Sequence, residues 1–220
     1  MLFISVISPK VYLLAFSSLY FIINYLLFIN KFLSIFAVEF NQTNPSMKSK
    51  TQTILVIMNV LAWITFIGLM IKAGAILVSF VMTLFNPDAA KNLYNGENLY
   101  DLRQTLFVQY LNMVSFNIAL PAMEAYTTYL IIMVLSKIKL TNPFTAEVAA
   151  ILDRISYVIF GTWIVAMIHN AHTSWLMKKV PGLQEEMISG EFIFLAGVVF
   201  VIAQIFKRGV EIQSENELTV

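Results

Sequence analysis

Residues 54–85 read ILVIMNVLAWITFIGLMIKAGAILVSFVMTLF, a run whose one charged side chain is Lys72. A hydrocarbon core of about 30 Å takes roughly 20 helical residues, so this stretch is long enough to cross a bilayer. Transmembrane strands alternate between lipid-facing and lumen-facing residues, and no such alternation is present here. The stretch predicts a transmembrane helix. Three further runs, 107–135, 155–177 and 191–206, share its character, the last being the shortest. Another, 11–36, precedes them all. The expected fold is all-α: an integral membrane bundle of four transmembrane helices, with an additional N-terminal helix open at 11–36.

Composition agrees with that reading. Of 220 residues, 59% are hydrophobic and 12% charged, against about 45–50% and 25% in soluble domains. A soluble globule of this length has too little interior for so much apolar surface, so lipid is the expected solvent. The net charge of +1 gives no reason to expect direct contact with nucleic acid. With no cysteine, disulfides, thiolate metal sites and a cysteine nucleophile are excluded. No GxSxG, HExxH, P-loop or GxGxxG pattern occurs, so neither an enzyme nor a cofactor is expected.

The borders of the spans carry their own signals. Tyr157 and Trp175 are 18 residues apart, about 27 Å of helix, the separation of two interfacial aromatic belts. Ahead of them, Asn142-Pro143-Phe144-Thr145 reads as a helix start with Pro143 at the first helical position. Val148, Ile151, Leu152 and Ile155 follow at helical spacing and predict an amphipathic stub lying along the interface. Asn86-Pro87-Asp88 is a similar start after the span 54–85.

Lysine and arginine near the span ends set orientation. Lys48, Lys50, Lys137, Lys139, Arg154, Lys207 and Arg208 fall on one side, seven positives. Lys91, Arg103, Lys178 and Lys179 fall on the other, four positives. Both ends of the 47–220 unit are therefore expected in the cytoplasm. Residues 1–46 differ, with no Gly, Arg, Asp, Trp or His. They are read as an N-terminal hydrophobic extension, either a true extra helix or sequence ahead of a natural start at Met47-Lys48-Ser49-Lys50. The second reading is preferred.

The tail Phe206-Lys207-Arg208-Gly209-Val210-Glu211-Ile212-Gln213-Ser214-Glu215-Asn216-Glu217-Leu218-Thr219-Val220 resembles the ending of a bacterial membrane family, domain of unknown function 2975. Asn142-Pro143-Phe144-Thr145 and the four-helix layout are similar to that family too, over roughly 47–220. The resemblance implies the bacterial inner membrane and an unassigned activity. It also implies a neighbouring helix-turn-helix regulator as a cytoplasmic partner. It carries over no catalytic residue.

Polar groups at membrane depth are costly and mark candidate sites. Asn117, Pro121, Glu124 and Thr128 lie within about 60° on one helix face at 100° per residue. Pro121 frees the carbonyl of Asn117, and a kink is expected there. The stripe is either helix-packing glue or a ligand- or ion-sensing notch. Thr65, Gly68, Lys72 and Ser79 form a matching stripe in 54–85. From span edges near Thr53 and Ser136, Lys72 lies about 28 Å deep and Glu124 about 18 Å, so their pairing stays open. His169 and His172, three residues apart, are weak metal candidates without a placed third ligand, though Glu185, Glu186 and Glu191 follow nearby. Thr162, Ala166, His169 and Thr173 share a face, which points to packing.

In the tail, Gly209 is expected to stop the last helix. Val210, Ile212, Leu218 and Val220 then alternate with polar residues, which reads either as a strand added to the sheet edge of a partner or as a frayed terminus. The functional expectation is a regulatory or sensory membrane subunit acting through that tail. The alternatives are a small transporter-like or accessory subunit, as a homo-oligomer with a polar path, and then an intramembrane enzyme.

Overall fold

The computed structural model describes residues 27, 30, 34, 50–94, 96–138, 143–180, 183, 187–188 and 192–217. Within them the chain forms helices α1 (Lys50–Phe85), α2 (Tyr100–Thr105), α3 (Phe107–Lys137), α4 (Ala146–Met177) and α5 (Phe192–Glu217). A 3-10 helix, Pro87–Lys91, follows α1, and no strand occurs among the described residues. Four helical segments are long and apolar enough to cross a membrane: Thr51–Phe85, Phe107–Lys137, Ala146–Met177 and Ile193–Glu215. The all-α, four-span membrane fold is thus present. The helix expected at 11–36 and the boundary at 46/47 lie outside the described residues, except that Leu27, Asn30 and Ser34 have helical backbone.

Neighbouring spans pack in sequence order, α1 on α3, α3 on α4 and α4 on α5. Among the described residues α1 and α5 do not pack on each other, so the bundle is open between them. Trp63 and Phe66 of α1 meet Ala125 and Ile132 of α3 in one buried cluster. Leu130 and Val134 of α3, Val148, Ile151, Ile155 and Ile159 of α4, and Ala196 of α5 form a second. Outside these seams large apolar side chains stand exposed, among them Ile64, Val108 and Phe194. Lipid is the solvent that makes such a surface stable.

The connection 86–106 is a folded cap. The Asn86 side chain accepts from the Asp88 N–H at 3.1 Å and Pro87 opens the 3-10 turn, as the sequence predicts. Asp88 then pairs with Lys91 at 2.7 Å, and that hydrogen bond holds the Lys91 ammonium above its ordinary pKa. Gly96 takes a positive φ of 89°, a conformation that glycine adopts without steric cost, and its N–H meets Asn92 Oδ1 at 3.0 Å. Ala90, Leu93, Leu99 and Leu102 are buried against Ile76, Tyr110, Met113, Val114 and Leu176. The cap therefore seals one end of the bundle with an apolar plug.

Three expectations are corrected. The stub at 148–155 does not lie apart along an interface: it is the opening of one continuous helix from Ala146 to Met177. Burial of Val148, Ile151 and Ile155 against α3 and α5 gives that stretch a protein partner in place of headgroups. Pro143 is not the first helical residue. Thr145 caps the helix, its hydroxyl oxygen accepting from the Val148 N–H at 3.3 Å. Finally, Gly209 does not stop α5, which runs on to Glu217.

Candidate functional site

Two polar regions stand out, one beneath the cap and one at the opposite end. Beneath the cap, the Thr83 hydroxyl donates to the Phe80 carbonyl at 2.7 Å and lies 2.8 Å from the Tyr110 hydroxyl. Tyr110 must then be the donor to Thr83, and both residues are fully buried. Arg103 donates to the Thr83 carbonyl at 2.7 Å. Asn117 donates to Glu97 at 2.6 Å, tying α3 to the cap. Asn170 is bonded twice to Ile188, accepting from its N–H and donating to its carbonyl.

His169 and His172 sit in this region, flanking Phe116 at 5.6 and 6.0 Å between ring centroids. His172 donates from Nε2 to Gln109 Oε1 at 2.7 Å. The Nδ1 atoms of both histidines are buried without a hydrogen-bond partner among the described residues. Among the described residues no group of three His, Cys, Asp or Glu could hold a metal ion. Glu185, Glu186 and Glu191 lie outside those residues. Thr162, Ala166, His169 and Thr173 are all buried, so the packing expected of that face is present.

The stripe on α3 divides. Asn117 is engaged by Glu97, Pro121 and Thr128 are buried, and α3 is continuous through Pro121. The Thr128 hydroxyl turns back to the Glu124 carbonyl at 2.9 Å. The α1 stripe is exposed at Thr65, Gly68 and Lys72 and half-buried at Ser79, whereas Trp63, Phe66, Ala73 and Ile76 are buried. Phe66 against Tyr129 and Thr83 against Tyr110 set the register of α1 on α3. That register brings Lys72 level with Glu124, correcting the 10 Å depth difference counted from span edges. No ion pair joins the two among the described residues.

The second region lies between α3 and α4, toward the end from which α4 starts. An open cleft of about 630 Å³ is lined by Ala122, Met123 and Tyr126 of α3 and by Asp153, Arg154, Tyr157 and Gly161 of α4. Asp153 binds Lys207 of α5 at 3.0 Å, and its other carboxylate oxygen is buried without a partner among the described residues. Phe206 packs on Phe144 at 5.2 Å, and Gly209 lies directly beneath the Phe144 ring. One wall of the cleft is thus fastened to the root of the tail. In the sequence Arg154 and Lys207 register as topological charges, and no local pattern marks Asp153 as the partner of Lys207, which is 54 residues away.

The tail itself is helical through Glu217, so the expected strand is not formed at Val210 and Ile212. A run of Glu, Gln, Ser and Asn continues α5 without a breaker, and Gly209 costs a helix only about 1 kcal/mol. Leu218 and Val220 lie outside the described residues. Glu211, Ile212, Ser214 and Glu215 are exposed.

The family described as Protein of unknown function (DUF2975) matches residues 104–220. This is narrower than the 47–220 of the resemblance in the sequence, and it holds α3, α4, α5 and the cleft. No curated protein and no solved structure matches the chain. The match covers more than half of the 220 residues, and the chain belongs to the DUF2975 family.

Proposed function

We propose that this membrane protein is a regulatory or sensory subunit of the bacterial inner membrane. Both ends of the 47–220 unit face the cytoplasm, and the helical tail of α5 acts on a soluble partner. The observation that carries this reading is the tail's attachment: Lys207 on Asp153 and Phe144 over Phe206 and Gly209 fix the root of a helix that is exposed at Glu211, Ile212, Ser214 and Glu215. A fixed, exposed helix presenting Ile212 among Glu211 and Glu215 suits recognition by a groove, where apolar anchors at helical spacing give affinity. The family resemblance points to a helix-turn-helix regulator as the partner, so contact with nucleic acid passes through that protein. The reading uses no catalytic step.

Deleting 210–220, or changing Ile212→Asp, tests it. Co-purification of the encoded neighbour regulator is expected to disappear while the amount in the membrane stays normal. Unfolding of the bundle, or unchanged co-purification, overturns the reading. A second reading, a transporter-like subunit, draws on the exposed α1 stripe of Thr65, Gly68 and Lys72, which copies in a homo-oligomer would enclose as a polar path. Solute flux in vesicles that is lost in Lys72→Leu supports that reading instead.

A further inference from the structure

The cleft between α3 and α4 has both the depth and the charge to hold one lipid. α4 spans 32 residues, about 48 Å, of which roughly 20 residues fill the hydrocarbon core. Arg154 is the ninth residue of that helix, one turn ahead of the exposed Tyr157. At the far end Trp175 is exposed with the Lys179 ammonium 4.3 Å over its ring, an interfacial arrangement. Tyr157 and Trp175 therefore mark the two boundaries, and Arg154 lies at headgroup level. Gly161 and Ala122 lie deeper along the same cleft, in the acyl-chain region.

Charge narrows the occupant. At this end Lys207 is neutralised by Asp153, Lys137 by Glu147 and Arg208 by Glu211. Arg154 lines the cleft, is exposed, and holds no ion pair with a described residue. A guanidinium beside an apolar groove matches a phosphate with an acyl chain attached, because it can hold two phosphate oxygens at once. Below it two small residues, Ala122 and Gly161, leave room between Met123, Tyr126 and Tyr157. A Cβ added at Gly161 would meet only Met123, at 3.8 Å, so the groove is open to a hydrocarbon chain.

We infer that the α3/α4 cleft binds one anionic glycerophospholipid, its phosphate on Arg154 and one acyl chain along Tyr157, Gly161 and Ala122. This site stands apart from the regulatory reading: the lipid binds whether or not the tail has a partner.

The test is native mass spectrometry of the full chain in non-ionic detergent, with dioleoyl phosphatidylglycerol or dioleoyl phosphatidylcholine added at equal concentration. One phosphatidylglycerol per chain is expected to survive at collision energies that strip phosphatidylcholine. Arg154→Gln is expected to weaken that retention about tenfold, as the loss of one charge-assisted contact implies. Gly161→Leu, which fills the groove without touching Arg154, is expected to weaken it comparably. Both variants are first checked for wild-type melting and a monodisperse profile. Equal retention of the two lipids, or retention unchanged in either variant, overturns the proposal. So does displacement of the lipid by excess inorganic phosphate, which would leave an anion site without an acyl chain. A dimer that excludes phosphatidylglycerol would assign the cleft to a second copy and also overturn it.

Discussion

At the scale of single residues, hydrogen bonds beneath the cap carry energy that polarity alone does not forecast. Tyr110→Phe removes the one donor that meets Thr83 Oγ1 in a fully buried setting. A loss of about 1 kcal/mol is expected, read as a lower midpoint of thermal unfolding in detergent. Asn117→Ala is expected to cost more, about 1.5–3 kcal/mol, because the bond it removes runs to a carboxylate and ties α3 to the cap. Glu124→Gln should stay within about 0.5 kcal/mol of wild type, since no ion pair among the described residues holds that carboxylate. If Glu124→Gln is the most damaging of the three, the α3 stripe is organised around Glu124 and not around the cap. The helical wheel grouped Asn117 with Glu124 correctly by angle. It could not register that Glu97, twenty residues earlier in sequence, folds back to claim one of them.

At the scale of elements, two glycines separate a structural contact from an open surface. A Cβ at Gly209 would lie 2.5 Å from Cδ1 and 2.8 Å from Cγ of Phe144, too close for the ring to remain. Gly209→Ala gains helix propensity of about 1 kcal/mol but must push Phe144 off Phe206, an overpacking that costs about 1–3 kcal/mol. The expected net result is destabilisation and a tail released from α4, seen as faster proteolysis after Arg208. Gly161→Ala meets only Met123 and should be neutral or slightly stabilising. Equal melting of the two variants would deny that Phe144 clamps α5. Composition made Gly209 look like a helix stop, because glycine is a poor helix former in isolation. Tertiary contact uses it for close approach, and the polar residues after it keep helical bonds in water as readily as at a membrane surface.

At the scale of the molecule, the row of packed spans puts Lys50, Lys137, Ala146 and the tail at one end, with the cap, Met177 and Phe192 at the other. Reporter fusions at residues 50 and 220 are expected to read as cytoplasmic and one within 90–100 as external. Opposite readouts at 50 and 220 would contradict an even number of spans. The buried clusters of described residues draw on positions from Trp63 onward. A chain begun at Met47 is accordingly expected to insert, and its melting in detergent checks whether the spans hold together.

Sequence by itself determined that the chain is helical, that it has four membrane-spanning helices between 50 and 217, and where 54–85 and 107–135 lie to within a few residues. The helix read at 155–177 instead starts at Ala146, and the one read at 191–206 runs on to Glu217. The features read correctly follow from apolar length and local turn chemistry, which act within about 30 consecutive residues. Only the tertiary structure decided which face of α1 is buried, that 86–106 folds into a cap, and that Asp153 meets Lys207 across 54 positions of chain. In lipid the outward face of a span is as apolar as its packed face, so hydrophobic periodicity loses its power to point inward. Small differences in side-chain shape and a few long-range hydrogen bonds choose the face instead, and those exist only once the helices have met.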